Sequence, residues 1–163
     1  MKTLIIGANS RLVNALGRFA ETDIVSHRNI PTNGEYDAIY IFSYSSSHQE
    51  NIALFDKIAK LECPNTVLIS SITTQIDPKF SYSYPSVKRR SEVQAIQQDF
   101  HIVRIGLVLE TLEDSPKSGR YIITTTDDLN SMIASKSYKC QQPKLKSYWR
   151  GRGVAFELAY LHV

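Results

Sequence analysis

Five short apolar runs recur at residues 3–6, 23–26, 37–43, 66–70 and 101–105, and several of them carry no polar alternation. A strand that is apolar on both faces belongs inside a parallel sheet covered by helices on either side. Helical patterns fill the gaps. One, at roughly 48–62, starts on the capping box Ser47-His48-Gln49-Glu50 and predicts Ile52, Phe55, Ile58 and Ala59 as its buried stripe, ending at Pro64-Asn65. A second, at roughly 84–99, carries Pro85 in its first turn and predicts burial of Val87, Val93 and Ile96, with Phe100 following. Leu12, Leu16, Phe19 and Ala20 predict a helix after the first strand, and Asp127 to Ile133 predict a short one near the end. Asn29-Ile30-Pro31-Thr32-Asn33-Gly34 reads as a loop, and the pattern weakens beyond residue 110.

At 163 residues the chain is the size of one domain, with 42% hydrophobic and 21% charged residues. No apolar run approaches the ~20 residues of a membrane span. The sequence enters a strand directly, without a signal-like core, and a cytoplasmic protein is expected. Cys63 and Cys140 lack metal-like spacing and read as reduced thiols, while His27, His48, His101 and His162 are scattered, so no metal site is expected. The net charge of +3 is unevenly spread. No Asp or Glu occurs between Leu129 and Phe156, where Lys136, Lys139, Lys144, Lys146, Arg150 and Arg152 are all basic. That segment fits a solvated basic face or a diphosphate site, with nucleic acid, suggested by Tyr138, Tyr148 and Trp149, the less favoured partner.

Two constellations carry chemistry. Thr3-Leu4-Ile5-Ile6 runs into Gly7-Ala8-Asn9-Ser10-Arg11-Leu12-Val13, a strand, turn and helix start of the kind that cradles a dinucleotide pyrophosphate. Tyr84 and Lys88 lie four residues apart at the start of a helix, on one face, and Ser71 ends an apolar run 13 residues before Tyr84. A lysine ammonium near a phenol favours phenolate, which suits the tyrosine to proton transfer near neutral pH. A serine hydroxyl can hold the reacting oxygen. With nine tyrosines and ten lysines present, a bare Tyr-x-x-x-Lys arises by chance in about one such chain in two, so its context matters more than its spacing.

Taken in order, these segments resemble the short-chain dehydrogenase/reductase family, in its extended branch of nucleotide-sugar epimerases, dehydratases and reductases. Gly7-Ala8-Asn9-Ser10-Arg11-Leu12 is similar to the glycine turn of dTDP-4-dehydrorhamnose reductases. Asp37 to Ser43 resembles the strand beside the cofactor, and Leu68-Ile69-Ser70-Ser71 the strand that ends in the catalytic hydroxyl. Tyr84-Pro85-Ser86-Val87-Lys88 with Glu92 resembles the Tyr-x-x-x-Lys-x-x-x-Glu motif, and Arg104 to Val108 and Thr125 to Leu129 resemble later family segments. The resemblance covers roughly 130 residues.

It implies an α/β fold: a Rossmann-like doubly wound parallel sheet in three α/β/α layers, of about five to six strands. One domain is expected, with a core over 1–110 and a short substrate or partner segment over 111–163. The implied activity is NADP(H)-dependent oxidoreduction or epimerisation of a nucleotide sugar in surface-polysaccharide biosynthesis. Tyr84, Lys88 and Ser71 are the implied catalytic residues. Gly7, Asn9, Ser10, Arg11, Leu12, Arg28, Ser43 and Lys88 are the implied cofactor residues, and Lys144, Arg150 and Arg152 the substrate ones. No acid follows the second strand to hold a ribose 2′-hydroxyl, while Arg11 and Arg28 suit a 2′-phosphate, so NADP(H) is favoured over NAD(H). The family's dimers pair the helices that here hold Asn51 and Lys88, which implies a possible homodimer.

Three departures bear on this. Ser10 and Val13 stand where the family's turn has its second and third glycines, and Val13 implies a wider gap or a shifted helix. Only ten residues separate Ser26 from Asp37, so one edge strand should be missing, and with it part of the adenine pocket. Asn51, at a position where the family often keeps an asparagine, reads as a surface residue. These departures leave open an alternative, a catalytically degenerate Rossmann-fold nucleotide-binding or regulatory protein.

Overall fold

The first strand is buried along its whole length, and its side chains supply both cores. In the computed structural model, which describes residues 2–75, 83–110, 120–138 and 144–147, Leu4 and Ile6 of β1 (Thr3–Ile6) point to one core cluster and Ile5 to the other. Around β1 stand β2 (Thr22–Val25), β3 (Ala38–Ile41), β4 (Thr66–Ser71) and β5 (His101–Ile105), all parallel, in the order β2-β1-β3-β4-β5. β2 is the edge strand, as the short 26–37 interval requires. The same alternation recurs in β3, where Ile39 and Ile41 face one side and Ala38 and Tyr40 the other.

Helices α2 (His48–Ala59) and α3 (Ser83–Gln97) cover the face of Leu4, Ile6, Ile39, Ile41 and Leu68, with Leu54, Phe55, Ile58 and Ala95. The opposite face is closed by α1 (Arg11–Ala15) and α4 (Thr126–Ala134) through Val13, Leu129, Met132 and Ile133. The result is the expected three-layer, Rossmann-like sandwich. A second sheet follows: β6 (Leu107–Leu109) pairs parallel with β7 (Arg120–Thr125), and β7 antiparallel with β8 (Lys144–Ser147). The buried Tyr40 hydroxyl donates to the carbonyls of Met132 (3.2 Å) and Ser137 (2.8 Å), tying β3 to the end of α4. Burial holds that phenol well above its ordinary pKa.

Several expectations are corrected. α1 is a single short helix: the chain turns extended at Leu16, although Leu12, Leu16 and Phe19 all pack on the core as their spacing predicts. On α2 the buried residues are Asn51, Leu54, Phe55 and Ile58, while Ile52 is exposed. α3 is the larger departure, because it buries Pro85, Lys88, Ser91, Glu92, Gln94 and Ala95 and exposes Val93 and Ile96. Lys88, Ser91 and Glu92 hold that face because they are hydrogen-bonded there, which offsets the cost of burying them.

Candidate functional site

In a doubly wound sheet, ligands bind beyond the carboxyl ends of the strands, where neighbouring strands lead off in opposite directions. Here that point lies between β1 and β3. A hollow of about 250 Å³ opens there, lined by Gly7, Asn9, Ser10, Ser26, His27, Phe42, Ser43 and Tyr44. A larger one of about 480 Å³ adjoins it, sharing His27, Ser43 and Tyr44 and adding Arg28, Glu50, Asn51 and Lys57 among others. Of the expected cofactor residues, Gly7, Asn9, Ser10 and Ser43 line the first hollow and Arg28 the second. Arg11 is exposed on α1, and Leu12 packs against the core.

Gly7 is required by its turn. Its φ is +138°, and a Cβ there would come within 3.0 Å of Phe42 Cβ. Val13 approaches the same point, 3.4 Å from such a Cβ, and so fills the place a third glycine would leave open. Ser10 caps α1, accepting from the Leu12 N–H at 3.2 Å. It therefore occupies an amide that a pyrophosphate would otherwise take.

The catalytic candidates come from the neighbouring strand and helix. Lys88 is only 5% exposed; its Nζ donates to the Ile69 carbonyl at 3.3 Å and lies 4.2 Å from the centre of the Tyr44 ring. Burial lowers its pKa to about 8, against an opposing pull from Glu92. A desolvated ammonium over a tyrosine ring contributes about 1–2 kcal/mol. The Lys88 Nζ is 5.9 Å from the Tyr84 ring centre, and Tyr84 meets Tyr44 edge to face at 5.7 Å. The two expected partners thus come together around a third side chain, Tyr44. The Ser71 Oγ lies 2.9 Å from Thr73 Oγ1 and accepts from the Thr73 N–H at 3.2 Å, in the 3₁₀ turn Ile72–Gln75.

Two supporting groups had no assigned role in the sequence: Asn51, expected on the surface, and Glu92, noted only within the motif. Asn51 is buried, and its amide grips Ser45 twice, accepting from the Ser45 N–H at 2.7 Å and donating to its carbonyl at 2.8 Å. The Ser45 hydroxyl also bonds Glu50, so the loop carrying Tyr44 is held from α2. Behind Lys88, the buried Glu92 accepts from Ser70 (2.6 Å), Thr74 (3.0 Å) and bidentately from Arg104 (2.8 Å to Nη2), joining α3 to β4 and β5. The asparagine position shared with the family and the carboxylate four residues after the lysine were the available signals. Lys144 lies on β8 opposite Ile123, whereas Arg150 and Arg152 fall outside the described residues. No cluster of metal-ligating side chains occurs among the described residues, and no helix among them is long and apolar enough to cross a membrane.

No family model matches the chain, and no curated protein does. Solved structures do. The dTDP-glucose 4,6-dehydratase DesIV from Streptomyces venezuelae, in a double-mutant structure with NAD bound, superposes with a TM-score of 0.60 at 13% identity, over 99% of this chain and 80% of that one. TunA, an NAD-dependent NDP-hexosamine 5,6-dehydratase of tunicamycin biosynthesis, gives 0.58 at 14% over 83% and 71%. A short-chain dehydrogenase/reductase from Veillonella parvula, in complex with NADP, gives 0.54 at 8% over 81% and 84%. The fold is the Rossmann-like fold that these solved structures share. At these identities the likeness speaks to the fold.

Proposed function

We propose that the chain is a cytoplasmic nicotinamide-dependent oxidoreductase or epimerase of a nucleotide sugar, in surface-polysaccharide biosynthesis, with NADP(H) preferred. The observation that carries this is the buried Lys88, one turn beyond Tyr84 on α3, with both side chains against Tyr44, which lines the hollow between β1 and β3. The fold's neighbours include enzymes described as acting on nucleotide sugars with NAD.

The residues present fit the phosphate half of such a cofactor well. The Gly7 turn brings backbone close to the hollow, and His27, Arg28 and Lys57 supply positive or protonatable groups around it. Arg28 is the residue to meet a 2′-phosphate. Ser10, which both caps α1 and lines the hollow, offers a hydroxyl to the phosphates, and Ser43 lines the opposite wall. Bound there, the nicotinamide would carry the hydride. The chain's own part is then proton transfer by the Tyr84 hydroxyl, with the Lys88 ammonium favouring phenolate and holding a ribose hydroxyl. Ser71 would hold the reacting oxygen once released from Thr73. Lys144, with Arg150 and Arg152, would meet the substrate diphosphate, making 111–163 the substrate segment of a single domain. A homodimer through α2 and α3 completes the proposal.

Titration with NADPH and NADH, followed by turnover of 4-keto nucleotide sugars, is the test. Tyr84→Phe should abolish turnover while leaving cofactor affinity nearly unchanged. Full turnover in that variant would reject the proposed chemistry.

A second reading has its own support. Ser10 already takes the Leu12 N–H, and Val13 fills the space beside Gly7. Both favour a nucleotide-binding protein that has lost efficient catalysis. In that case dinucleotide binds only weakly, or a different nucleotide binds in its place, and Tyr84→Phe has no effect.

A further inference from the structure

Tyr44 stands where the two hollows and the Tyr84–Lys88 pair converge. It lines both hollows and is 42% exposed, whereas Lys88 behind it is 5% exposed. The Lys88 ammonium lies over the Tyr44 ring, and the Tyr84 ring abuts its edge. Its loop is anchored on both sides of the next residue, since Asn51 holds the N–H and the carbonyl of Ser45. The backbone of this residue is therefore fixed from α2, and its ring has rotation about its own side-chain bonds as the available movement.

From this placement we propose that Tyr44 is a specificity-determining residue of the site. With its ring over Lys88, the site accepts an adenosine phosphate but not the second ribose of a dinucleotide, which enters only when the ring swings away. This rests on the cofactor reading above. The physical basis is competition for one ammonium. A ribose hydroxyl and the Tyr44 ring cannot both lie against the same buried face of Lys88, so ligand affinity is reduced by the fraction of molecules with the ring in place. The phosphate half of the ligand would contact the Gly7 turn and Arg28 and would feel no such competition.

The experiment compares NADPH with adenosine 2′,5′-bisphosphate, which lacks the nicotinamide ribose, by calorimetry on the wild-type chain, Tyr44→Ala and Tyr44→Phe. The bisphosphate should bind all three equally. NADPH should bind the wild type and Tyr44→Phe no more tightly than the bisphosphate does. In Tyr44→Ala it should bind about tenfold or more tightly than in the wild type. Acylation of Lys88 by acetic anhydride, followed by peptide mass spectrometry without ligand, should accelerate in Tyr44→Ala and not in Tyr44→Phe. Equal NADPH affinity in the wild type and Tyr44→Ala would overturn the gating role while leaving the cofactor reading intact. Failure of all three proteins to bind either ligand would overturn both.

Discussion

Lys88 is buried with its charge, and its environment makes that charge costly. Burial lowers its pKa from 10.5 to about 8. Between those two values the unfolded chain binds more protons than the folded one, so this group makes stability rise with pH. Below pH 8 both states are protonated and the full penalty is present; as pH rises toward 10.5 it is relieved. The penalty is on the order of 3–4 kcal/mol, since each pKa unit is about 1.4 kcal/mol. Lys88→Met should therefore be more stable than the wild type below pH 8, with the gap narrowing by more than half between pH 8 and 9.5. Urea unfolding across that range measures it. A gap independent of pH would mean that packing, not charge, sets the cost. Keeping such a lysine where a methionine would be more stable is understandable if its ammonium meets a ligand.

At the scale of elements, α3 is joined to the sheet by polar groups more than by apolar ones. Its carboxylate, Glu92, gathers Ser70, Thr74 and Arg104 from three other segments. Removing one partner leaves a buried charge short of a donor, which costs more than the pair is worth. Arg104→Met should destabilise by about 2–3 kcal/mol, somewhat less than for a fully buried pair because Arg104 is partly exposed. Adding Glu92→Gln should recover part of the loss, and a double-mutant cycle by denaturant unfolding would show it. Additive losses would mean that the two groups do not act as a pair. On α2, Asn51→Ala frees both backbone groups of Ser45 and should cost about 1–2 kcal/mol by the same measurement.

These polar contacts also mark where the sequence was legible and where it was not. The five parallel strands could be read nearly to the residue, because β1, β3 and β4 are buried throughout and the edge strands β2 and β5 still carry short apolar cores. α2 was visible through its capping residue Ser47 and α4 through the pattern of Asp127 to Ile133, one residue short of its start; the cap on Thr125 emerged only from the structure. The buried face of α3 was misread because its members are Lys88, Ser91, Glu92 and Gln94, and the partners that hold Lys88 and Glu92 there lie on distant segments that no local period reveals. α1 was overextended for a related reason. Leu12, Leu16 and Phe19 do reach the core, but the last two do so from extended chain, where Gly17 N–H meets the Asn130 side chain at 2.9 Å. β6, β7 and β8 went unseen because they exist through pairing across long intervals. In the candidate site, Gly7, Ser10, Tyr84 and Lys88 were readable from motif order. Tyr44, Asn51 and Arg104 were not, since their roles depend on contacts made only in the folded chain.

For the molecule as a whole, the outer face of α2 and α3 is unusual for a surface. Ile52, Val93 and Ile96 are 39%, 56% and 63% exposed, and a groove of about 210 Å³ runs between the helices, bordered by His48, Phe55, Asp56 and Gln97 among others. The Gln94 Oε1 in that groove is buried without a hydrogen-bond partner among the described residues. An apolar face with a buried acceptor at its centre gains from being covered by a surface that also brings a donor. Helices of 12 and 15 residues are about 18 and 22 Å long, enough for two copies to pack side by side over about 800 Å² each. The proposed homodimer uses this face. Val93→Glu with Ile96→Glu places charges at its most exposed points, where the isolated subunit loses no core contact. Sedimentation equilibrium at tens of micromolar should show a dimer for the wild type and a monomer for the double variant, with the secondary structure unchanged. A monomeric wild type would remove the dimer from the proposal, and a dimeric double variant would place its interface elsewhere. Neither result would touch the site at the end of β1 and β3, because the two regions use different residues of α2: Glu50, Asn51, Leu54 and Lys57 line the hollow, whereas His48, Ile52, Phe55 and Asp56 border the groove.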